Sequence, residues 1–158
     1  NYFVIVEKNA MATSKKAPQQ EDLLLHQAIE QFYFGYRTFT ELPDKLLAQR
    51  GLGRVHHRIL YFVGHNPDIA INALLGILKI SKQALNAPLK QLVKMELITV
   101  TTAEYDQRVR QLSLSPAGKK LESQLTDTQI QLLRQVFQQL GKETETAWLH
   151  VMQCLNKD

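Results

Sequence analysis

Apolar residues recur at helical spacing over most of this chain of 158 residues, and one short stretch alternates instead. Between Glu21 and Leu42 the steps are four and three, which predicts one long helix with an apolar stripe. The stripe consists of Leu25, Ile29, Phe32, Tyr36 and Phe39. Further apolar side chains lie on its other face, at Leu24, Tyr33 and Phe34. A helix of this kind is expected to be buried on several sides, either as a central core helix or against a second subunit.

Turn-forming residues divide the next part of the chain into short helices. Pro43 is expected to open a helix that Gly51 ends, because proline suits a first helical turn and glycine suits a helix end. Gly53 separates it from a helix predicted over residues 54–65. The predicted buried face of that helix consists of Val55, Ile59, Phe62 and Val63.

A change from helical spacing to strand alternation marks residues 71–114. A helix over 71–78 and a tight turn lead to a second helix, for which Ser81 is the natural N-cap. A hairpin follows, with predicted strands at Ile98–Thr102 and Val109–Leu114 and the residues AEYDQR as its tip. Helix, turn, helix and wing in this order present one helix to a DNA groove, a site that needs no catalytic residue.

The second helix of this pair carries polar side chains on its predicted outer face. Its inner face consists of Leu85, Leu89, Leu92 and Val93, and Gln91 is expected to point outward. Amides pair with adenine edges, lysines suit guanine or phosphate, and a hydroxyl at a helix start suits a phosphate oxygen. The predicted DNA-contacting residues of this helix are Ser81, Lys82, Gln83, Asn86 and Lys90.

Three charged residues near the hairpin tip predict a second DNA contact. Asp106 is expected to hold the Arg108 guanidinium by a carboxylate pair, because residues two apart project from the same side of an extended chain. An oriented arginine at a hairpin tip suits the minor groove, whose negative potential attracts it. Arg110, two residues on, is expected to contact a phosphate.

Two helices are predicted after the hairpin. Ser115 and Pro116 are expected to begin a long helix that Gly141 ends. A last helix is predicted from Glu143 to about Leu155. One of its sides is apolar and consists of Trp148, Val151, Met152 and Leu155.

Composition narrows the functional class. The net charge of +4 permits a polyanionic partner without demanding one. The single cysteine, Cys154, excludes an internal disulfide and fits a reducing cytoplasm. No apolar run is long enough to span a bilayer. The five histidines lack the spacing of a zinc site and no enzyme motif is present, so no metal, cofactor or catalytic residue is expected.

The order of elements and the segment DQRVRQLSLSPAGKKL resemble the multiple-antibiotic-resistance regulator (MarR) family of winged helix-turn-helix repressors. The resemblance covers about residues 21–156. It implies a mainly α fold with a small β-hairpin wing, a homodimer formed by the terminal helices, a recognition helix in the major groove and Arg108 in the minor groove. Two residues depart from the family pattern. Lys79 stands at a turn position where glycine is common, and Pro88 interrupts the recognition helix, where a kink is favoured over a break because apolar spacing continues beyond it.

Four segments follow from these elements. They are a lead over residues 1–20, N-terminal dimerisation helices over 21–53, the winged helix-turn-helix over 54–115 and C-terminal dimerisation helices over 116–158. Residues 1–10 are expected not to belong to the natural protein, whose start is expected at Met11.

The resulting hypothesis is a cytoplasmic, homodimeric regulator, a ligand-responsive repressor that binds double-stranded DNA at a pseudo-palindromic operator. The resemblance implies release by a small ligand in a cleft between the dimerisation helices and the DNA-binding part. The residues expected to line it are Tyr36, Arg37, His57 and Tyr61. Arg37 would favour an anionic, partly aromatic effector. The alternative is a winged-helix interaction module whose basic face docks an acidic protein.

Overall fold

The computed structural model describes residues 16–156, which form six helices and a three-stranded antiparallel sheet. In chain order the elements are α1 (Lys16–Ala48), α2 (Arg54–His65), β1 (Ile69–Ala70), α3 (Ile71–Leu78), α4 (Lys82–Lys94), β2 (Ile98–Ala103), β3 (Asp106–Leu114), α5 (Pro116–Leu140) and α6 (Lys142–Leu155). This confirms the mainly α fold with a small wing. Within residues 16–156, no helix combines the length and apolar character that crossing a membrane requires.

The chain divides into two compact units, and the boundary between them falls between Thr38 and Phe39, within α1. The four segments expected from the sequence remain a prediction, and the expectation for residues 1–10 lies outside the described residues. The helix does begin earlier than the predicted lead allows, at Lys16. Pro18 then lies in the first turn, where a backbone N–H has no partner within the helix and its absence costs little.

The predicted break at Pro43 is wrong, because α1 continues through this residue to Ala48. Proline has no N–H to donate to the carbonyl four residues earlier, that of Phe39. The Gln129 side chain of α5 donates to this carbonyl instead, at 3.3 Å from Nε2 to O. The Pro43 ring is fully buried, so its packing also stabilises the continuous helix.

Gly51 lies in the turn that ends α1, as predicted. Its φ is +67°, a left-handed conformation that glycine adopts at little cost. The turn lets the Leu52 N–H donate to the Leu47 carbonyl at 3.0 Å, which satisfies a carbonyl at the helix end.

The first part of α1 is not a core helix of the single chain. The side chains of Ile29 and Phe32 are 67% and 59% exposed, although both belong to the predicted apolar stripe. The residues on the other face, Leu24, Tyr33 and Phe34, are exposed as well. The expectation of a central core helix is therefore wrong, and the expectation of a second subunit remains.

The core lies in the second unit, where α2 packs against α3, α4, α5 and β3. Its fully buried side chains include Leu47, Ile59, Leu60, Leu74, Leu85, Leu92, Ile98, Leu112 and Leu125. In α2, Ile59 and Val63 are buried as predicted, but Val55 and Phe62 are only partly buried. His56 and Leu60 take their place, because the buried face of α2 is rotated from the predicted one.

The sheet has the strand order β1-β3-β2, with β3 in the middle. The two-residue strand β1 was not predicted, and it pairs Ile69 with Leu112 and Ala70 with Gln111. The hairpin strands are longer than predicted, so the turn consists only of Glu104 and Tyr105. Leu112 and Leu114 are buried, as their alternation with Gln111 and Ser113 predicts.

The exit from the wing into α5 is closely packed. Ser115 is the N-cap of α5, and its Oγ accepts a hydrogen bond from the Gly118 N–H at 2.9 Å. The same hydroxyl donates to the Glu96 carbonyl at 2.6 Å. At Gly118 a Cβ atom would stand 1.9 Å from the Leu97 carbonyl oxygen. Only glycine lets the first turn of α5 approach the base of the wing this closely.

We expect Gly118→Ala to lower the free energy of unfolding by about 3 kcal/mol or more, because the methyl group meets backbone and not a flexible side chain. Urea unfolding followed by circular dichroism measures this loss. Gly76→Ala is the control, since it lies within α3 with nothing within 4 Å of its Cβ position. It should stabilise the protein by about 0.5–1 kcal/mol. Equal stability of the Gly118 variant and the parent would contradict the proposed close packing.

Candidate nucleic-acid interface

Helix α4 presents an exposed polar face. Ser81 caps its start, accepting from the Ala84 N–H at 3.1 Å, as predicted. The helix runs unbroken through Pro88. Four predicted contact residues inside it are exposed, namely Lys82, Gln83, Asn86 and Lys90. Leu85 and Leu92 are buried on the opposite side, where α4 packs against α2 and β2.

Gln91 does not join this exposed face, so its predicted outward direction is wrong. Its side chain hydrogen-bonds with His56 of α2, and its Nε2 donates to the Gly51 carbonyl at 3.1 Å. Gln91 follows Lys90 by one position, and a step of about 100° turns it from the outer surface towards α2.

The turn before α4 contains a residue in a left-handed conformation. Lys79 has φ +50° and ψ +41° and is the C-cap of α3. This explains why glycine suits the position, since a residue with a Cβ atom adopts this conformation at a cost. The lysine keeps the tight turn and adds a positive charge beside the start of α4.

The Asp106 carboxylate binds backbone and not the Arg108 side chain. Its Oδ1 accepts from the Arg108 N–H at 2.9 Å. The predicted pair with the guanidinium is therefore wrong, because a short aspartate side chain reaches the backbone two residues on more readily than a long side chain. Asp106 shapes the start of β3 just after the turn.

Two arginines project from β3 into solvent. Arg108 and Arg110 are both exposed, and Arg110 lies opposite Thr102 on β2. The pairing with β2 is irregular between them and the turn, since Thr102 lies opposite Arg110 and the next residue, Ala103, lies opposite Asp106. Both arginines lie on the strand and not within a six-residue tip, since the turn is only two residues long. The tip itself carries Tyr105, which is 76% exposed.

Positive charge gathers on the helix pair and the wing. The basic residues of this part are Lys79, Lys82, Lys90, Lys94, Arg108 and Arg110. The first turn of α4 has no acidic residue, so the positive end of its helix dipole is not neutralised within the helix. Exposed cations and the positive end of a helix dipole suit a polyanion such as a phosphate backbone.

The residues expected to line an effector cleft are divided between the two units. Tyr36 and Arg37 belong to the first, where the Arg37 guanidinium lies 5.9 Å from the centre of the Tyr33 ring. His57 and Tyr61 belong to the second and lie one turn apart on α2. That the four residues share one cleft remains a prediction.

Histidine and cysteine side chains form other contacts. His56 is buried, which the sequence analysis missed. Its position three residues after Gly53 was a possible signal, because that place in a helix often caps the preceding backbone.

Cys154 is exposed, and its Sγ lies 3.8 Å from His150 Nε2, one turn earlier on α6. Over residues 16–156, no group of three or more potential metal ligands occurs.

Comparison with known proteins identifies relatives of this arrangement. A family model described as MarR family matches residues 50–109, which include α2, the helix pair and most of the wing. The chain is 32% identical over 145 residues to the HTH-type transcriptional regulator PetP of Rhodobacter capsulatus, covering 88% of this chain and 87% of that one.

Solved structures share the fold. The crystal structure of MarR family transcription regulator SP03579 superimposes with a TM-score of 0.73 and 19% identity, covering 87% of this chain and 91% of that one. Streptococcus pneumoniae FabT, solved in complex with DNA, gives a TM-score of 0.71 and 14% identity, covering 82% and 94%. These similarities show a common architecture.

We expect stability to fall on acidification through His57. Burial holds the pKa of this imidazole below its ordinary value of 6.5 and outweighs the Glu122 and Asp44 carboxylates, which raise it. Below pH 6.5 the unfolded chain therefore takes up a proton that the folded chain does not, and the free energy of unfolding decreases as pH falls. Urea unfolding at about pH 7.5 and 5.5 should show a steeper decrease for the parent than for His57→Gln. Equal decreases in the free energy of unfolding of the two proteins, at matched protein concentration, would contradict the assignment of this pH dependence to His57.

Proposed function

The chain belongs to the MarR family of transcription regulators, and we propose that it is a homodimeric repressor that binds double-stranded DNA at a pseudo-palindromic site. The observation that carries the proposal is the exposed polar face of α4, which stands on a helix pair followed by a basic wing. The DNA complex of FabT, which shares this fold, supports it. The proposal includes a cytoplasmic location, which the free Cys154 thiol fits because thiols stay reduced there.

Helix α4 reads the major groove in this proposal. Gln83 and Asn86 have amides that pair with adenine edges, and Lys82 and Lys90 contact guanine or phosphate. Ser81 and the free N–H groups of the first turn bind a phosphate oxygen and fix the helix in register. All five of these residues are exposed.

The wing contacts the adjacent minor groove. Arg108 enters it, because an exposed guanidinium is attracted by the negative potential of a narrow groove. Arg110, exposed on the same strand, contacts the phosphate backbone. Asp106 contributes indirectly, since its bond to the Arg108 N–H fixes the backbone that carries the guanidinium.

A second copy of the chain covers the apolar surfaces of the terminal helices. On α1, Leu25, Ile29 and Phe32 are each more than half exposed. Between α5 and α6 lies an open cavity of about 610 Å³ whose apolar lining includes Phe137, Trp148 and Leu149. Exposed apolar area of this extent is typical of an interface. Two copies would place two recognition helices about one DNA turn apart.

Control by a small anionic or aromatic effector completes the proposal. The residues expected to bind it remain Tyr36, Arg37, His57 and Tyr61. The partly buried imidazole of His57 supports such a role, because burial keeps it neutral and able to accept or donate a hydrogen bond at pH 7.

We expect Arg108→Ala to lower affinity for a selected DNA duplex about tenfold or more. Its melting temperature should remain nearly unchanged, because exposed substitutions alter stability by about 0.5 kcal/mol or less. Fluorescence anisotropy at several salt concentrations measures the affinity. Lys45→Ala is the control, as it removes the same charge from a 67% exposed side chain on α1, outside the helix pair and the wing.

The salt series separates DNA binding from the docking of an acidic protein. Contact with several phosphates makes affinity for the duplex fall steeply as salt rises. An Arg108 variant that keeps parental affinity would contradict insertion of the wing. A parent that binds no DNA at low salt would contradict the proposed function and favour the interaction module.

We expect the parent to sediment as a dimer at micromolar concentration and Ile29→Asp to shift it towards monomer, because the substitution buries an unpaired charge in the interface. Gln27→Asp is the matched control, since it adds the same charge two positions away on an exposed part of α1. A parental monomer at that concentration would contradict the dimer.

A further inference from the structure

On its inner side, helix α4 is held by the hydrogen bonds of one side chain as well as by apolar packing. Leu85 and Leu92 bury their side chains, but apolar contacts have little directional preference. Gln91, next to Leu92, uses both ends of its amide in hydrogen bonds. These bonds are a directional restraint on rotation of α4 about its axis.

The hydrogen-bond directions are determined by the first donor. The Gly53 N–H donates to His56 Nδ1 at 3.0 Å, so Nδ1 carries no proton in this bond. In the neutral ring Nε2 then carries the proton and donates to Gln91 Oε1 at 3.0 Å. This fixes the amide orientation, and Gln91 Nε2 donates to the Gly51 carbonyl at 3.1 Å.

Three elements meet in this chain of bonds. Gly51 belongs to the left-handed turn that ends α1, Gly53 and His56 form the start of α2, and Gln91 lies in α4. His56 is 8% exposed, so water competes little for its nitrogens. The turn after α1, the start of α2 and the recognition helix are thus joined through the His56 imidazole and the Gln91 amide.

We propose that His56 and Gln91 are positioning residues that set the rotation of α4 and so the base discrimination of the DNA site. The inference rests on the proposed function. Asn86 and Lys90 share a helix with Gln91, so rotation of α4 would move their side chains relative to the base edges. Contacts to phosphate tolerate such a shift better, because a charge attraction depends less on direction than a hydrogen bond does.

The experiment compares affinity for two duplexes. One is selected by the parent from a random-sequence pool, and the other is its scrambled form with the same length and composition. The ratio of the two affinities measures discrimination. Loss of folded protein lowers both affinities by the same factor and leaves the ratio unchanged, so a purely structural role would not move this readout.

Two substitutions remove the hydrogen bond between His56 and Gln91, and a third retains it. Gln91→Met fills the space without hydrogen bonds, and His56→Asn keeps an acceptor for the Gly53 N–H but is too short to reach Gln91. His56→Gln retains reach in both directions and is the conservative control. We expect the affinity ratio to fall about tenfold in the first two and to stay within about threefold of the parent in the third.

The double variant His56→Asn with Gln91→Met should lose no more discrimination than Gln91→Met alone, because that substitution already removes both hydrogen bonds of the Gln91 side chain. Unchanged ratios in Gln91→Met and His56→Asn would overturn the inference while leaving DNA binding intact. An equal fall of the ratio in His56→Gln would also overturn it. A parent that shows no DNA binding would overturn the proposed function itself.

Discussion

The approach of the Leu97 carbonyl to the backbone of Gly118 is the constraint on which the position of the wing depends. The Ser115 hydroxyl joins the same place to the Glu96 carbonyl, and Ile98 pairs with Leu114 across the base of the hairpin. Both strands of the wing are therefore fixed to the first turn of α5 at one end. From Leu114 to Arg108 the strand spans roughly 20 Å, so a small rotation at the base becomes a large displacement of the guanidinium.

Local signals in the sequence were sufficient for the elements that form this arrangement. Ser81 and Ser115 each cap a helix through an N–H three residues later, an interaction contained within a few positions. The alternation of Leu112 and Leu114 likewise reports burial directly. The strand β1 was missed because two residues carry no alternation to detect. Its existence depends on the partner strand, 41 or more positions along the chain.

Interactions between distant residues account for two of the errors, those at Pro43 and Gln91. Pro43 stays within a helix because Gln129, on another element, donates to the carbonyl that proline leaves unsatisfied. Gln91 turns inward because His56 and Gly51 provide partners for both ends of its amide. The residues that neighbour Pro43 and Gln91 in the sequence do not indicate these partners. The exposed face of α4 could be predicted because it lies opposite the apolar residues that the helix buries. The Asp106 bond could not be predicted in this way, because it depends on how far the side chain reaches.

The arginines of β3 also bear on whether the wings of separate copies pair with one another. Within the described part of the chain, β1 pairs with β3 only at Gln111 and Leu112, so residues 106–110 have an open edge opposite β2. An open strand edge is a template for pairing with another molecule, and charged side chains are a common protection against it. Arg108 and Arg110 lie on this segment. The charges suited to a polyanion thus also discourage sheets from growing between copies, and selection that alters them acts on aggregation as well as recognition.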